Sequence, residues 1–166
     1  MPIWGPYTRI GMVLAVLVFI VDRGNKYWFV DIWGLGARGR VELTWFLDLV
    51  LVWNRGISYG LLAQEGETGR YLLFGFAIVV CVILVFWLAR AQELVFGLGL
   101  GLIIGGAVSN AVDRLVYGAV ADFFSLHAYG FYWYVFNLAD VAIVVGVVLL
   151  LYVSFVTGHK TAGNGQ

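Results

Sequence analysis

Long apolar runs separated by short polar clusters set the pattern of this chain. A helix needs about 20 mainly apolar residues to cross a bilayer, and four runs approach that length, at roughly 7–26, 70–88, 94–115 and 136–156. An even number of crossings would leave both termini on one side. Only Arg90, Ala91, Gln92 and Glu93 separate the second run from the third, so those two are expected to form a tight helical hairpin. The segment from Val41 to Leu62 alternates weakly and carries strand-favouring residues punctuated by glycine, which predicts a small sheet or hairpin at the membrane surface. Between the third and fourth runs, Gly118 and Gly130 break the helical pattern, and Phe131, Tyr132, Trp133 and Tyr134 suit an aromatic loop at the membrane–water interface. Residues 158–166 read as a polar, disordered tail. Gly97, Gly101 and Gly105 recur every four residues and give the third run a smooth face for close helix packing. The fold class expected is an all-α membrane protein: four transmembrane helices, a small extramembrane β-sheet and an aromatic loop, in one domain over residues 1–166.

Composition sharpens this. The chain has 166 residues, 62% of them hydrophobic and 12% charged, against an apolar share of about 45–50% in soluble domains. A net charge of zero gives no reason to expect a nucleic-acid partner. One cysteine, Cys81, excludes an intrachain disulfide framework and multiple-cysteine zinc sites. The first run follows Arg9 as a signal peptide would, but no A-x-A site follows and Asp22, Arg23 and Lys26 come next, so an uncleaved span is expected. Basic residues do not orient the chain clearly. Arg9, Arg90 and Lys160 fall on the side of the termini and seven others on the opposite side, which by simple counting puts the termini outside.

Charge is scarce, so its clustering between Gly105 and Asp140 is informative. A carboxylate near the middle of a spanning helix costs about 2.5–3.5 kcal/mol, which makes such residues functional candidates. Asn110 and Asp113 are three apart, as are Asn137 and Asp140, so each pair shares a helix face. Asp122 lies just beyond the Gly118 break, and Asp140 lies at the edge of the fourth run. If the intervening loop folds back, the two reach the same depth. Converging carboxylates share a proton: one can act as base toward water while the other, protonated, polarises a carbonyl. Ala139 would leave room for a substrate backbone. The plainer alternative is that these aspartates pair with Arg114 and cap helices, and the residues alone do not rank Asp113 against Asp122. Asp113 and Arg114 are adjacent and do not face each other, so Asp113 is expected to orient partners, through Arg114 on a neighbouring turn. Asp22 and Lys26, spaced i, i+4, read as a structural pair. Gly56 to Gly60 matches G-x-S-x-G only loosely, with His127 and His159 the sole histidines, and H-E-x-x-H is absent. No metal and no cofactor are expected. A small proton- or cation-coupled transporter using the same aspartates is the rival reading.

Five boxes in order resemble the lipoprotein signal peptidase (signal peptidase II) family. Asp22 to Lys26 is similar to D-x-x-[ST]-K, with Asn25 in place of the usual Ser or Thr and Arg23 in place of the usual Gln. Asn54, Gly56 and Gly60 are similar to N-x-G-A-A-F-G, with Ile57, Ser58 and Tyr59 as departures. Gly105, Gly106, Asn110, Asp113 and Arg114 fit G-G-A-x-x-N-x-x-D-R; Gly118, Val120, Asp122 and Phe123 fit G-x-V-x-D-F; Phe136, Asn137, Ala139 and Asp140 fit F-N-x-A-D. The resemblance implies an aspartic endopeptidase of the bacterial inner membrane, with cytoplasmic termini and a site near the periplasmic face. It further implies cleavage just before a diacylglyceryl-modified cysteine and inhibition by globomycin-type peptides. The catalytic pair falls on Asp122 and Asp140. Asn54, Gly56, Asn110, Asp113, Arg114, Asn137 and Ala139 fall on supporting or ligand-contacting positions. Membrane lipids and the prolipoprotein substrate are the expected partners, and a monomer is expected.

Overall fold

A computed structural model of the protein describes residues 4–56 and 67–163, without the side chains of 67 and 157–163. The first helix, α1 (Thr8–Tyr27), runs into a π-helical turn (Trp28–Ile32) and a short helix α2 (Leu35–Arg38). Strands β1 (Val41–Thr44) and β2 (Leu47–Asn54) follow, then α3 (Glu67–Leu88) and α4 (Leu94–Tyr117). Strands β3 (Val120–Ala128) and β4 (Phe131–Phe136) lead into α5 (Leu138–Gly163).

The hairpin of α3 and α4 turns within residues 89–93, as expected. Its turn is fastened to the start of the chain: the Gly5 N–H donates to the Ala89 carbonyl at 2.8 Å, and the Thr8 hydroxyl to the Leu88 carbonyl at 2.8 Å. This end of the bundle is opposite the sheet.

Helix α4 is the centre, packed against α1, α3 and α5. Its glycines make that possible. A Cβ on Gly101 would fall onto the Gly11 carbonyl, and one on Gly105 would lie 2.5 Å from the Ala15 carbonyl oxygen, so the expected smooth face is the seam with α1. Two further glycines form a second seam. A Cβ on Gly99 would lie 3.0 Å from the Gly146 carbonyl oxygen, and one on Gly106 2.5 Å from that of Ala139, both in α5. Small residues let backbones approach where lipid supplies no hydrophobic drive between helices. Helix α4 ends at Gly118, whose φ of 76° suits a residue without a Cβ and whose N–H donates to the Arg114 carbonyl.

Among the described residues, three helices are long and apolar enough to cross a membrane: Thr68–Leu88, Leu94–Tyr117 and Leu138–Val156. The expected first span, α1, is absent from that set because Arg9, Asp22, Arg23 and Lys26 interrupt its apolar sequence. The expected tail also differs. Helix α5 continues to Gly163, since no proline interrupts it, and residues 164–166 lie outside the described residues.

The four strands form one antiparallel sheet in the order β1-β2-β3-β4. The first connection therefore contains the expected strands, whereas the expected aromatic loop is itself a hairpin of this sheet. Phe131–Phe136 is a run of aromatic and β-branched residues that favours strand. Tyr129 and Gly130, with φ of 50° and 81°, supply the two left-handed positions of a tight hairpin turn. Leu35, Leu49, Ala121 and Phe123 form a buried core against Phe29 and Trp33. Asp48 on β2 ties the strands together: it accepts from Arg40 at 2.7 Å and bonds His127 at 3.0 Å, and His127 stacks on Tyr132 of β4. Burial opposes ionisation of Asp48, but Arg40 and His127 together hold its carboxyl below the usual range.

Candidate functional site

The sheet end of the bundle gathers the polar residues of the sequence boxes into one network. Asn137 precedes α5 and caps it. Its side-chain oxygen accepts the Asp140 N–H at 2.9 Å, and the Asp140 carboxylate accepts the Asn137 N–H at 3.3 Å, a reciprocal cap that fixes both side chains. The Asn137 amide also donates to Asp122 at 2.6 Å. One asparagine thus bridges the two carboxylates. Asn54, on the strand paired with β3, donates to the other oxygen of Asp122 at 3.1 Å, and Asn110 donates to Asp140 at 2.9 Å.

The carboxylates differ in surroundings. Asp122 is 1% exposed, while Asp140 is partly exposed and lines a cleft of about 400 Å³. Burial, and next the negative charge of Asp140, push Asp122 up to about 7 against the opposing bonds from Asn54 and Asn137. The cleft has a polar end and apolar walls. Asn54, Asn110, Arg114 and Asp140 form the first, while Leu73, Phe76 and Val80 of α3 face Ile143 and Val144 of α5 across the second. Asn137 thus holds Asp122 through its side-chain amide and the Asp140 carboxylate through its backbone N–H, and such walls suit hydrocarbon.

Asp113 pairs with Arg23 and Lys26 and accepts the Ala121 N–H at 3.2 Å, so it anchors β3. Its expected route through Arg114 is corrected. Arg114 donates instead to the carbonyls of Asn110 at 3.2 Å and Gly56 at 3.1 Å, because the side chains of adjacent helical residues diverge. The pairing of Asp22 with Lys26 is present at 2.7 Å, with both residues buried. Ala139 is fully buried, its N–H donating to Asp22 at 2.9 Å and its carbonyl facing Gly106, so it supports the site rather than opening it to a substrate. Gly56 is buried and donates its N–H to Asn54. Ile57, Ser58, Tyr59 and Gly60, within the second box and the G-x-S-x-G match, lie outside the described residues, as does the side chain of His159.

Sequence reasoning missed two partners. Ser109 donates to Asp22 at 2.6 Å, and Arg23 pairs with Asp113. A hydroxyl one residue before Asn110 in a glycine-rich apolar helix was the available signal for the first. His127 is held by Asp48 and Tyr132 on the sheet, and among the described residues no three His, Cys, Asp or Glu side chains gather as a metal site.

Known proteins are similar to this chain over most of its length. It is 49% identical to the lipoprotein signal peptidase of Rhodopseudomonas palustris (strain TIE-1), over 89% of this chain and 93% of that protein. It is 48% identical to the lipoprotein signal peptidase of Nitrobacter hamburgensis, over 89% and 92%. A solved bacterial membrane enzyme, determined by the in meso method, superposes with a TM-score of 0.77 at 25% identity, covering 95% of this chain and 92% of that one. Residues 14–156 match the family described as Signal peptidase (SPase) II. That match runs from α1 through the whole polar network into α5, and the chain therefore belongs to the signal peptidase II family.

Proposed function

We propose that the protein removes signal peptides from prolipoproteins by aspartic-type hydrolysis, cleaving just before a diacylglyceryl-modified cysteine. Family membership supports the reaction, and the observation that carries the mechanism is Asn137, which donates its side-chain amide to Asp122 and its backbone N–H to the Asp140 carboxylate. Asp140 faces the cleft from the first turn of α5, where helix N–H groups attract negative charge, and acts as base toward water. Asp122, buried and raised to about 7, carries the proton that polarises the scissile carbonyl and then passes to the leaving amine. The lipid chains lie along the apolar walls of the cleft, which globomycin-type inhibitors would also occupy. The transporter reading has no observation in its favour.

Helix α1 is the fourth span in this proposal. It lies alongside α4, turns Asp22 and Lys26 inward and exposes Ile10, Val13, Leu17 and Ile20 outward. The site then sits near the periplasmic face of the inner membrane, with the termini in the cytoplasm and the protein a monomer. A reporter fused at Gln166 is expected to read as cytoplasmic, against the simple count of basic residues.

The test is a cleavage assay in membranes with lipidated and unlipidated precursor. Processing of the lipidated form alone is expected, and equal processing of both would remove the lipid from the proposal. The pH profile adds a second check. Because Asp122 is raised to about 7, its proton is present at low pH and lost as pH rises through that value. Activity should fall on an alkaline limb near pH 7, the pair titrating as a unit.

A further inference from the structure

We propose that Lys26 is a positioning residue for the acid pair, taking the side-chain oxygen of Asn110 and so turning the amide N–H of that residue toward Asp140. The inference rests on the assignment of Asp122 and Asp140 above. An ammonium has three donors and no acceptor, and all three donors here are committed. The Lys26 Nζ lies 2.7 Å from Asp22 Oδ2, 2.7 Å from Asp113 Oδ2 and 2.9 Å from Asn110 Oδ1.

The orientation of Asn110 follows. Its oxygen receives Lys26 and, at 3.2 Å, the Asn137 amide, which leaves its Nδ2 to donate to Asp140 at 2.9 Å. The flipped amide would set a donor against two donors and an oxygen against a carboxylate. A buried network tolerates no such mismatch. The charged groups around Lys26 are Asp22 on its own helix, Asp113 on α4 with its partner Arg23, Asp122 on β3 and Asp140 on α5. Lys26 and Arg23 balance Asp22 and Asp113, and the field of Lys26 also reaches Asp122 and favours its ionised form.

Removing the ammonium alone would leave buried carboxylates uncompensated, so the test uses Lys26→Met with Asp22→Asn, which keeps the Asp113 pair with Arg23. With lipidated precursor in detergent, this variant is expected to melt close to the parent. Its kcat should fall roughly 10–100-fold, the scale of losing an outer-shell partner, with KM unchanged. The alkaline limb should move upward, since Lys26 favours the ionised form of Asp122. A merely structural lysine would lower melting but leave kcat per folded molecule unchanged, so a parental kcat in the folded variant would overturn the inference. Should the double variant not fold, Lys26→Arg decides. It keeps the charge but spreads its donors in a planar fork, so kcat should fall severalfold with the limb unmoved; unchanged kcat or a displaced limb overturns the inference. An active Asp140→Asn enzyme would instead sink the acid-pair assignment itself. An inert Asp140→Asn enzyme beside a parental double variant would sink the role of Lys26 alone.

Discussion

Replacing Asp140 by Asn is expected to lower prolipoprotein cleavage by at least ~10³-fold, within the range of about 10²–10⁴ that a positioned general base supplies together with the loss of its partner's shared proton. Asp122→Asn should do the same. Both variants should remain folded. In Asp140→Asn the new side-chain amide can still accept the Asn137 N–H and close the helix cap. It has one acceptor oxygen where the carboxylate of Asp140 uses two, so a single donor is left short at a cost of about 1–3 kcal/mol. The measurement is cleavage rate per folded molecule, with detergent melting as the control. Retained activity in either variant would dismiss that residue from the pair. Asp113→Asn supplies the contrast. It strips a partner from Arg23 and Lys26, and its effect should appear chiefly in melting temperature, because Asp113 meets β3 and α1 rather than the cleft.

The second large effect concerns glycine rather than acid. Gly106→Ala is expected to lower kcat by about 10²-fold, the scale of a 1 Å misplacement of reacting groups. A Cβ there would lie 2.5 Å from the Ala139 carbonyl oxygen and 2.9 Å from Ile143 Cγ1. The start of α5 must therefore shift, and Asp140 moves with it. Gly101→Ala is the matched control, since its Cβ would meet the Gly11 backbone in the seam with α1, away from the acids. Alanine gains about 1 kcal/mol of helix propensity over glycine, whereas overpacking costs about 1–3 kcal/mol, so both variants should melt lower. Only Gly106→Ala should lose activity beyond its loss of folded protein. Equal activity losses per folded molecule would contradict this division.

How far the sequence can be read depends on the range of the interactions. The apolar runs and the four-residue glycine spacing identify α3, α4 and α5 and a packing face on α4, though not that α1 fills it, because helix periodicity is local. The Asn110, Asp113, Asn137 and Asp140 spacings likewise put pairs on shared faces. What stays hidden is long-range. Nothing near Asp113 in sequence announces Arg23, 90 positions away, or Lys26 beside it. Nothing near Gly106 announces that the Ala139 backbone leaves it no room for a side chain. The aromatic segment reads as a loop because its residues fit an interface as well as a strand. Only the pairing of β3 with β2 and β4 decides for strand. The second glycine seam also escapes, since Gly99 and Gly106 are seven apart and match their partners only once α5 is docked.

The reciprocal cap at the start of α5 has a consequence for how the site assembles. Asn137 and Asp140 are held in place by the first turn of α5, which follows Asn54, Asn110 and Asp122 along the chain. Until α5 enters the membrane and winds its first turn, the acids assigned to hydrolysis have neither their bridge nor their spacing. Docking of α5 against α4 and the sheet is therefore the step on which assembly of the proposed acid pair depends.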